Sequence, residues 1–187
     1  GNNALYNNTT GENNAAFGYK ALYSNTSGTN NTGFGTNALA NNTTGQFNSA
    51  FARNALLFNT IGSYNVAQGS AALFNNVSGS NNIAIGYGSG FSNTNGSNNV
   101  FLGKRAGYFE TGDGKLYIAN NKTTPLIYGV FSKVPSQNKL GIGTTSIGAN
   151  DTITVDNGAS LSLGGVWTNA SSRELKQDIQ SLSSEDA

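Results

Sequence analysis

The sequence contains no cysteine and no histidine. Disulfide staples and thiolate metal sites are excluded, as are the commonest general base and the commonest zinc ligand. Charge is scarce. Only 10% of the 187 residues are Asp, Glu, Lys or Arg, with a net charge of +1, against roughly 25% charged residues in an ordinary soluble domain. Lys and Arg form no basic stripe, so nucleic acid is not an expected partner. No apolar run approaches the roughly 18–20 residues of a membrane span, so no membrane insertion is expected. No signal peptide is visible. Residue 1 falls inside a repeat, so the chain is expected to be part of a longer one.

What is abundant is asparagine and glycine. There are 25 glycines, and asparagine is concentrated between Asn2 and Asn99. Low charge combined with 10% aromatics does not suit a disordered chain, which is usually highly charged and poor in aromatics. It suits a solenoid whose turns hold the Asn and Gly and whose thin strands hold the apolar residues.

A 17-residue period runs through this composition. Leu5, Leu22, Leu39, Leu56 and Leu73 fall on it, each preceded by alanine. Gly11, Gly28, Gly45, Gly62, Gly79 and Gly96 form a column without exception, and so do Asn14, Asn31, Asn48, Asn65, Asn82 and Asn99. Each repeat reads as two short strands and two turns. In "NNIAIGYGS" (81–89), Ile83 and Ile85 flank Ala84 and share one face. Ala15/Phe17, Thr32/Phe34, Ser49/Phe51 and Val100/Leu102 are the equivalent pairs. The expectation is that Phe17, Phe34, Phe51, Ile85 and Leu102 stack in a buried column. The intervening small residues would then admit another backbone layer. "ALY" or "ALF" is read as a second strand. The unbroken Gly column implies positive φ, and the Asn columns imply amides that bond from coil to coil or hold left-handed turns.

Such a repeat is too short for two helices but long enough for one coil of a β-solenoid, with coils ~4.8 Å apart. The fold class expected is all-β: a parallel β-solenoid of 17-residue coils over 1–111. A β-rich neck would follow over 112–170, with a hairpin around Asn157-Gly158. Leu175, Ile179 and Leu182 have helical spacing, so a short C-terminal helical segment is expected within 171–187. One thin coil buries little apolar surface, which points to an oligomer.

"NNIAIGYGS" and "NNAAFGYKAL" resemble the head repeats of trimeric autotransporter adhesins, and more closely the Asn-rich repeats of tail-fibre-like proteins. The resemblance covers residues 1–107 and implies a trimer of parallel β-rolls. "SSRELKQDI" (171–179) resembles the opening of the endosialidase-type intramolecular chaperone domain, whose pattern is Ser-Asp-x-x-Leu-Lys-x-x-Ile. That resemblance implies a trimerising, self-cleaving domain that begins here and continues past Ala187. Ser171 and Lys176 match the family's cleavage pair, and Ser172 stands where the family has Asp. A hydroxyl activated by a desolvated neutral lysine needs no histidine.

The function expected is a structural or adhesive segment of a homotrimeric extracellular fibre, on a virion tail or a bacterial surface. Its receptor would be unknown, with a glycan as one candidate. No cofactor and no metal is expected, and no enzymatic activity beyond self-cleavage. Two alternatives stand beside it. A polysaccharide-degrading tailspike would need paired carboxylates, but the repeats offer only Glu12 and Glu110. An ice-binding solenoid would use the column Thr9, Thr26, Thr43 and Thr60, which breaks at Val77.

Overall fold

In a computed structural model, residues 1–155, 160–162 and 167–168 are described. They form one continuous sheet of twelve short strands in sequence order. Six of these are three residues long and recur once per repeat: β1 (Ala15–Phe17), β2 (Thr32–Phe34), β3 (Ser49–Phe51), β4 (Val66–Gln68), β5 (Ile83–Ile85) and β6 (Val100–Leu102). Each pairs in parallel with the next, Ala16 opposite Gly33, then Ala50, Ala67, Ala84 and Phe101. The parallel β-solenoid with one 17-residue coil per repeat is thus the fold.

Two ladders of asparagine hold the coils in register. Ten asparagines have no exposed surface. A buried amide left without partners costs about 1–3 kcal/mol, so each must be satisfied. In one ladder, Asn42 Nδ2 donates to Asn25 Oδ1 and Asn59 Nδ2 to Asn42 Oδ1, each at 2.8 Å. In the other, the backbone N–H of Asn48 donates to Asn31 Oδ1 at 2.9 Å, and Asn65 repeats this on Asn48 at 3.1 Å. The ladders meet on the glycine column. The Gly45 carbonyl accepts Asn42 Nδ2 at 3.0 Å and Asn31 Nδ2 at 2.8 Å.

That meeting point corrects the expectation for the glycines. The column from Gly11 to Gly96 does not lie at positive φ. Glycine is required by close approach instead. A Cβ at Gly28 would strike the Gly45 carbonyl and the amides of Asn25 and Asn42. Positive φ falls elsewhere, as at Asn13 and Asn30, and at Phe47 and Tyr64 in the same column.

The second strand is also corrected. Leu22, Leu39, Leu56 and Leu73 have φ of 52°, 54°, 52° and 49°. The residue two places before each is left-handed as well: Lys20, Asn37, Asn54 and Ala71. The segment therefore zigzags, yet still bonds both neighbouring coils. The Leu22 N–H donates forward to Ala38 O at 3.0 Å, and the Asn37 N–H donates back to Tyr19 O at 2.8 Å. Left-handed backbone costs a side-chain-bearing residue roughly 1–2 kcal/mol. Each of these four leucines is fully buried, and burying a leucine is worth about 1.5–3 kcal/mol. The leucines thus offset their own strain.

The strand faces are inverted relative to expectation. Ala50, Ala67 and Ala84 point inward with no exposure, while Phe17, Phe34 and Phe51 point outward, Phe17 with 65% of its surface free. The coil is narrow. Leucine fills it from the opposite wall, leaving room for only a methyl beneath the strand. Where that wall loses its leucine the strand compensates. Gly90 and Gly107 occupy the leucine column in the last two coils, and Phe101 fills the space, its ring lying where a Cβ at either glycine would stand. Phe101 is fully buried.

Beyond the regular coils, β7 (Lys115–Ile118) still stacks in parallel on β6, with Val100 opposite Leu116. That step is one residue shorter than the repeat. The sheet then reverses at β8 (Ile127–Val130) and again at β9 (Lys139–Ile142), continues in parallel to β10 (Asp151–Val155), and turns antiparallel through β11 (Ser160–Ser162) and β12 (Trp167–Thr168). β10 pairs with β11 antiparallel, as the Asn157-Gly158 hairpin requires; the turn itself and the expected C-terminal helical segment lie outside the described residues. The one helix among the described residues is a 3-10 turn at Pro135–Gln137.

One repeat breaks the pattern of a further glycine column. Gly18, Gly35, Gly69 and Gly86 have φ between 125° and 139°, but Ala52 stands in that column at φ 114°. Such strain in a side-chain-bearing residue costs on the order of 1–3 kcal/mol, partly offset by the ~0.5–1 kcal/mol entropic cost of glycine. Ala52→Gly is expected to stabilise the chain by about 1 kcal/mol, raising Tm by ~2–4 °C in a thermal melt. A lower Tm would mean that Ala52 is unstrained.

Candidate functional site

The outward strand face is the most distinctive surface. Its two columns run Ala15, Thr32, Ser49, Val66, Ile83, Val100 and Phe17, Phe34, Phe51, Gln68, Ile85, Leu102. No charged residue stands in either. Six coils at ~4.8 Å make the face roughly 29 Å tall, and two columns of side chains give it an area on the order of 300 Å², comparable to the largest apolar patch of an ordinary monomer, which is often functional. Val66, Ile83 and Ile85 are each more than a third exposed.

The geometry of the rings limits what this face can hold. Phe17 and Phe34 stack with centroids 4.9 Å apart and planes within 10°. Phe34 and Phe51 follow at 6.5 Å, tilted by 31°. Stacking along the axis covers the facing sides of Phe17 and Phe34 and turns their edges outward. A sugar recognised through CH contacts with an aromatic face finds no room between the stacked pair, whereas another apolar surface can pack against the edges. The stripe continues past the regular coils. Leu102 and Ile118 line an open recess of about 830 Å³ together with Pro125 and Leu126, and Leu126 is 65% exposed.

The other polar cluster ends the solenoid. In several coils, successive N–H groups converge on one carbonyl of the next coil, as Thr26, Ser27 and Gly28 do on Thr43 O at 3.0–3.2 Å. In the last coil a carboxylate takes that place. Glu110 Oε1 accepts the N–H groups of Thr111 and Gly112 at 3.0 and 2.8 Å, and Tyr117 donates its hydroxyl to Oε2 at 2.8 Å. A concave run of amides suits an anion. Glu110 also sits one full repeat after Asn93, where the ladder calls for another amide. Having no N–H to give, it ends the ladder, and Asn93 Oδ1 is buried without a partner. Lys122 lies beside this cap with its ammonium 4.4 Å from the Tyr108 ring.

The expected catalytic pair, Ser171 and Lys176, lies outside the described residues. Glu12 and Glu110 are separated by nearly six coils, about 28 Å at ~4.8 Å per coil, far beyond the ~5–9.5 Å of a glycosidase pair. The threonine column is committed internally: Thr26 Oγ1 donates to Thr43 O and Thr43 Oγ1 to Thr60 O, both at 3.0 Å. Among the described residues no cluster of three or more Asp, Glu, His or Cys could hold a metal. No helix there is long and apolar enough to cross a membrane. No family model matches the chain, and no curated protein and no solved structure is significantly similar to it.

Sequence reasoning found the columns that build this face but placed them inside. It missed the Glu110–Tyr117 cap, whose signal was a glutamate at the position of a buried asparagine.

Burial, then the hydrogen bond to Glu110 and its negative charge, push the Tyr117 phenol well above its ordinary value of about 10. A raised value favours the folded state below the unfolded pKa, and that contribution is lost as pH climbs above it. Denaturation above pH ~10 should therefore weaken wild type progressively, with a component that Tyr117→Phe lacks. Parallel pH profiles for the two chains would contradict the assignment.

Proposed function

We propose that this chain is a structural and adhesive segment of a trimeric extracellular fibre, with the outward strand faces of three copies turned toward one another. The observation that carries this reading is the uncharged, mostly apolar face extending the length of a rod whose own interior is already filled. Identical copies meet identical faces, so a closed rotational assembly covers all of them at once. The number three and the extracellular setting, on a virion tail or a bacterial surface, come from the resemblance of the repeats to adhesin heads and tail-fibre-like proteins. The receptor is unknown; a glycan is one candidate. Neither alternative gains an observation, since the threonine hydroxyls are occupied and the two glutamates stand far apart.

Sedimentation or native mass should report a trimer. Phe34→Asp should set three carboxylates against an apolar face and weaken the assembly by several kcal/mol as an order of magnitude. A wild-type monomer, or a variant as oligomeric and as heat-stable as wild type, would refute the interface.

We further propose, on the resemblance of residues 171–179, that the fibre is matured by one cut near Ser171, with Ser171 as nucleophile and Lys176 as base. Expressed with its full downstream coding sequence, wild type should be cut near Ser171, while Ser171→Ala and Lys176→Ala stay whole by intact mass. Uncut wild type, or variants cut as readily, would refute the pair.

A further inference from the structure

We infer that Asn95, whatever the role of the chain in a fibre, is a site of spontaneous deamidation built into the last regular coil. Asn95-Gly96 is the only Asn-Gly pair in residues 1–155. The matching positions in earlier coils are Thr10, Ser27, Thr44, Ile61 and Ser78, so the column otherwise carries no amide. Asn95 is exposed.

Three features favour reaction there. Gly96 has no side chain to obstruct its backbone nitrogen. That nitrogen is also unengaged. Up to Gly62 the corresponding N–H groups are held by the next coil: Gly28 donates to Thr43 O and Gly62 to Val77 O, at 3.2 and 3.3 Å. The N–H groups of Gly79 and Gly96 have no hydrogen-bond partner among the described residues, and of these two glycines only Gly96 follows an asparagine. Finally, Ser78 Oγ donates to Asn95 Oδ1 at 2.8 Å. That bond polarises the side-chain carbonyl and makes Cγ more electrophilic.

The chemistry needs only water. The Gly96 nitrogen attacks Asn95 Cγ and gives up its proton to solvent. The tetrahedral carbon expels the side-chain nitrogen as ammonia, closing a five-membered succinimide. Water opens the ring at either carbonyl. One route leaves aspartate; the other leaves isoaspartate, whose backbone passes through the β-carbon. Either product puts a negative charge into a column that has none. Isoaspartate also lengthens the turn by one methylene, directly before the Gly96 carbonyl that accepts Asn82 Nδ2 and Asn93 Nδ2 at 2.9 Å each. Conversion thus loosens both ladders where the solenoid meets the neck.

The test holds the folded full chain in warm, mildly alkaline buffer and maps its peptides by mass over time, with fragmentation that separates aspartate from isoaspartate. The expected result is a gain of about one dalton at Asn95, with isoaspartate present, several times faster than at exposed Asn98, which is followed by Asn99. Asn95→Ser, which installs the residue found at 78, should lose the fast gain and leave only the slower conversion at Asn98. Retention of the Asn95 amide while other sites convert, conversion no faster than at Asn98, or aspartate without isoaspartate would each overturn the proposal.

Discussion

A glycine carbonyl that accepts two asparagine amides is the bond on which each coil depends. At Gly45 the two donors come from opposite sides of the turn, Asn42 within the coil and Asn31 from the coil before. The arrangement leaves no space for a side chain, fixes both amides as donors, and frees their oxygens to accept from the next coil. Coil spacing, the glycine column and both ladders follow from it. With only three residues of regular strand per coil, the backbone ladder alone would be short, and the amides extend it around the turn. Buried polar chains of this kind are favourable only when every member is satisfied. The unsatisfied oxygen on Asn93 falls where the repeat stops.

The period, the parallel register and the coil-to-coil role of asparagine were legible in the sequence because they depend on spacing. What was not legible was direction. Alternation across Ile83, Ala84 and Ile85 shows which residues share a face, but not which face is inside. In an ordinary sheet the larger residues turn inward. Here the coil is too thin, and Leu73 from the far wall already fills it. The leucine column itself misleads as a strand, since left-handed φ at leucine is costly and is sustained only by full burial. Residue type alone assigns the glycines to turns, whereas crowding from the neighbouring coil sets them. The outward face was therefore visible as a pattern but invisible as a surface.

The few charges mark exceptions. Glu110 replaces an amide with a group that can only accept, and so closes a structure that any asparagine would extend. Its carboxylate is held by two N–H groups and a phenol, which is why it can sit at the end of a nearly uncharged rod. Several cations lie over aromatic rings, Lys122 over Tyr108 and Lys20 over Tyr23 among them. The strand face remains free of charge from Ala15 to Leu102.

Because successive side-chain partners within each ladder lie one full repeat apart, length in this molecule is quantised. Loss or gain of a single residue within a coil would set each amide against the wrong neighbour and move the leucine out of its slot. Loss or gain of a whole repeat would leave every contact intact on either side of the join. Replication slippage between tandem copies in the gene produces that second kind of change. The rod can therefore grow or shorten across generations by whole coils, with reach altered and cross-section preserved.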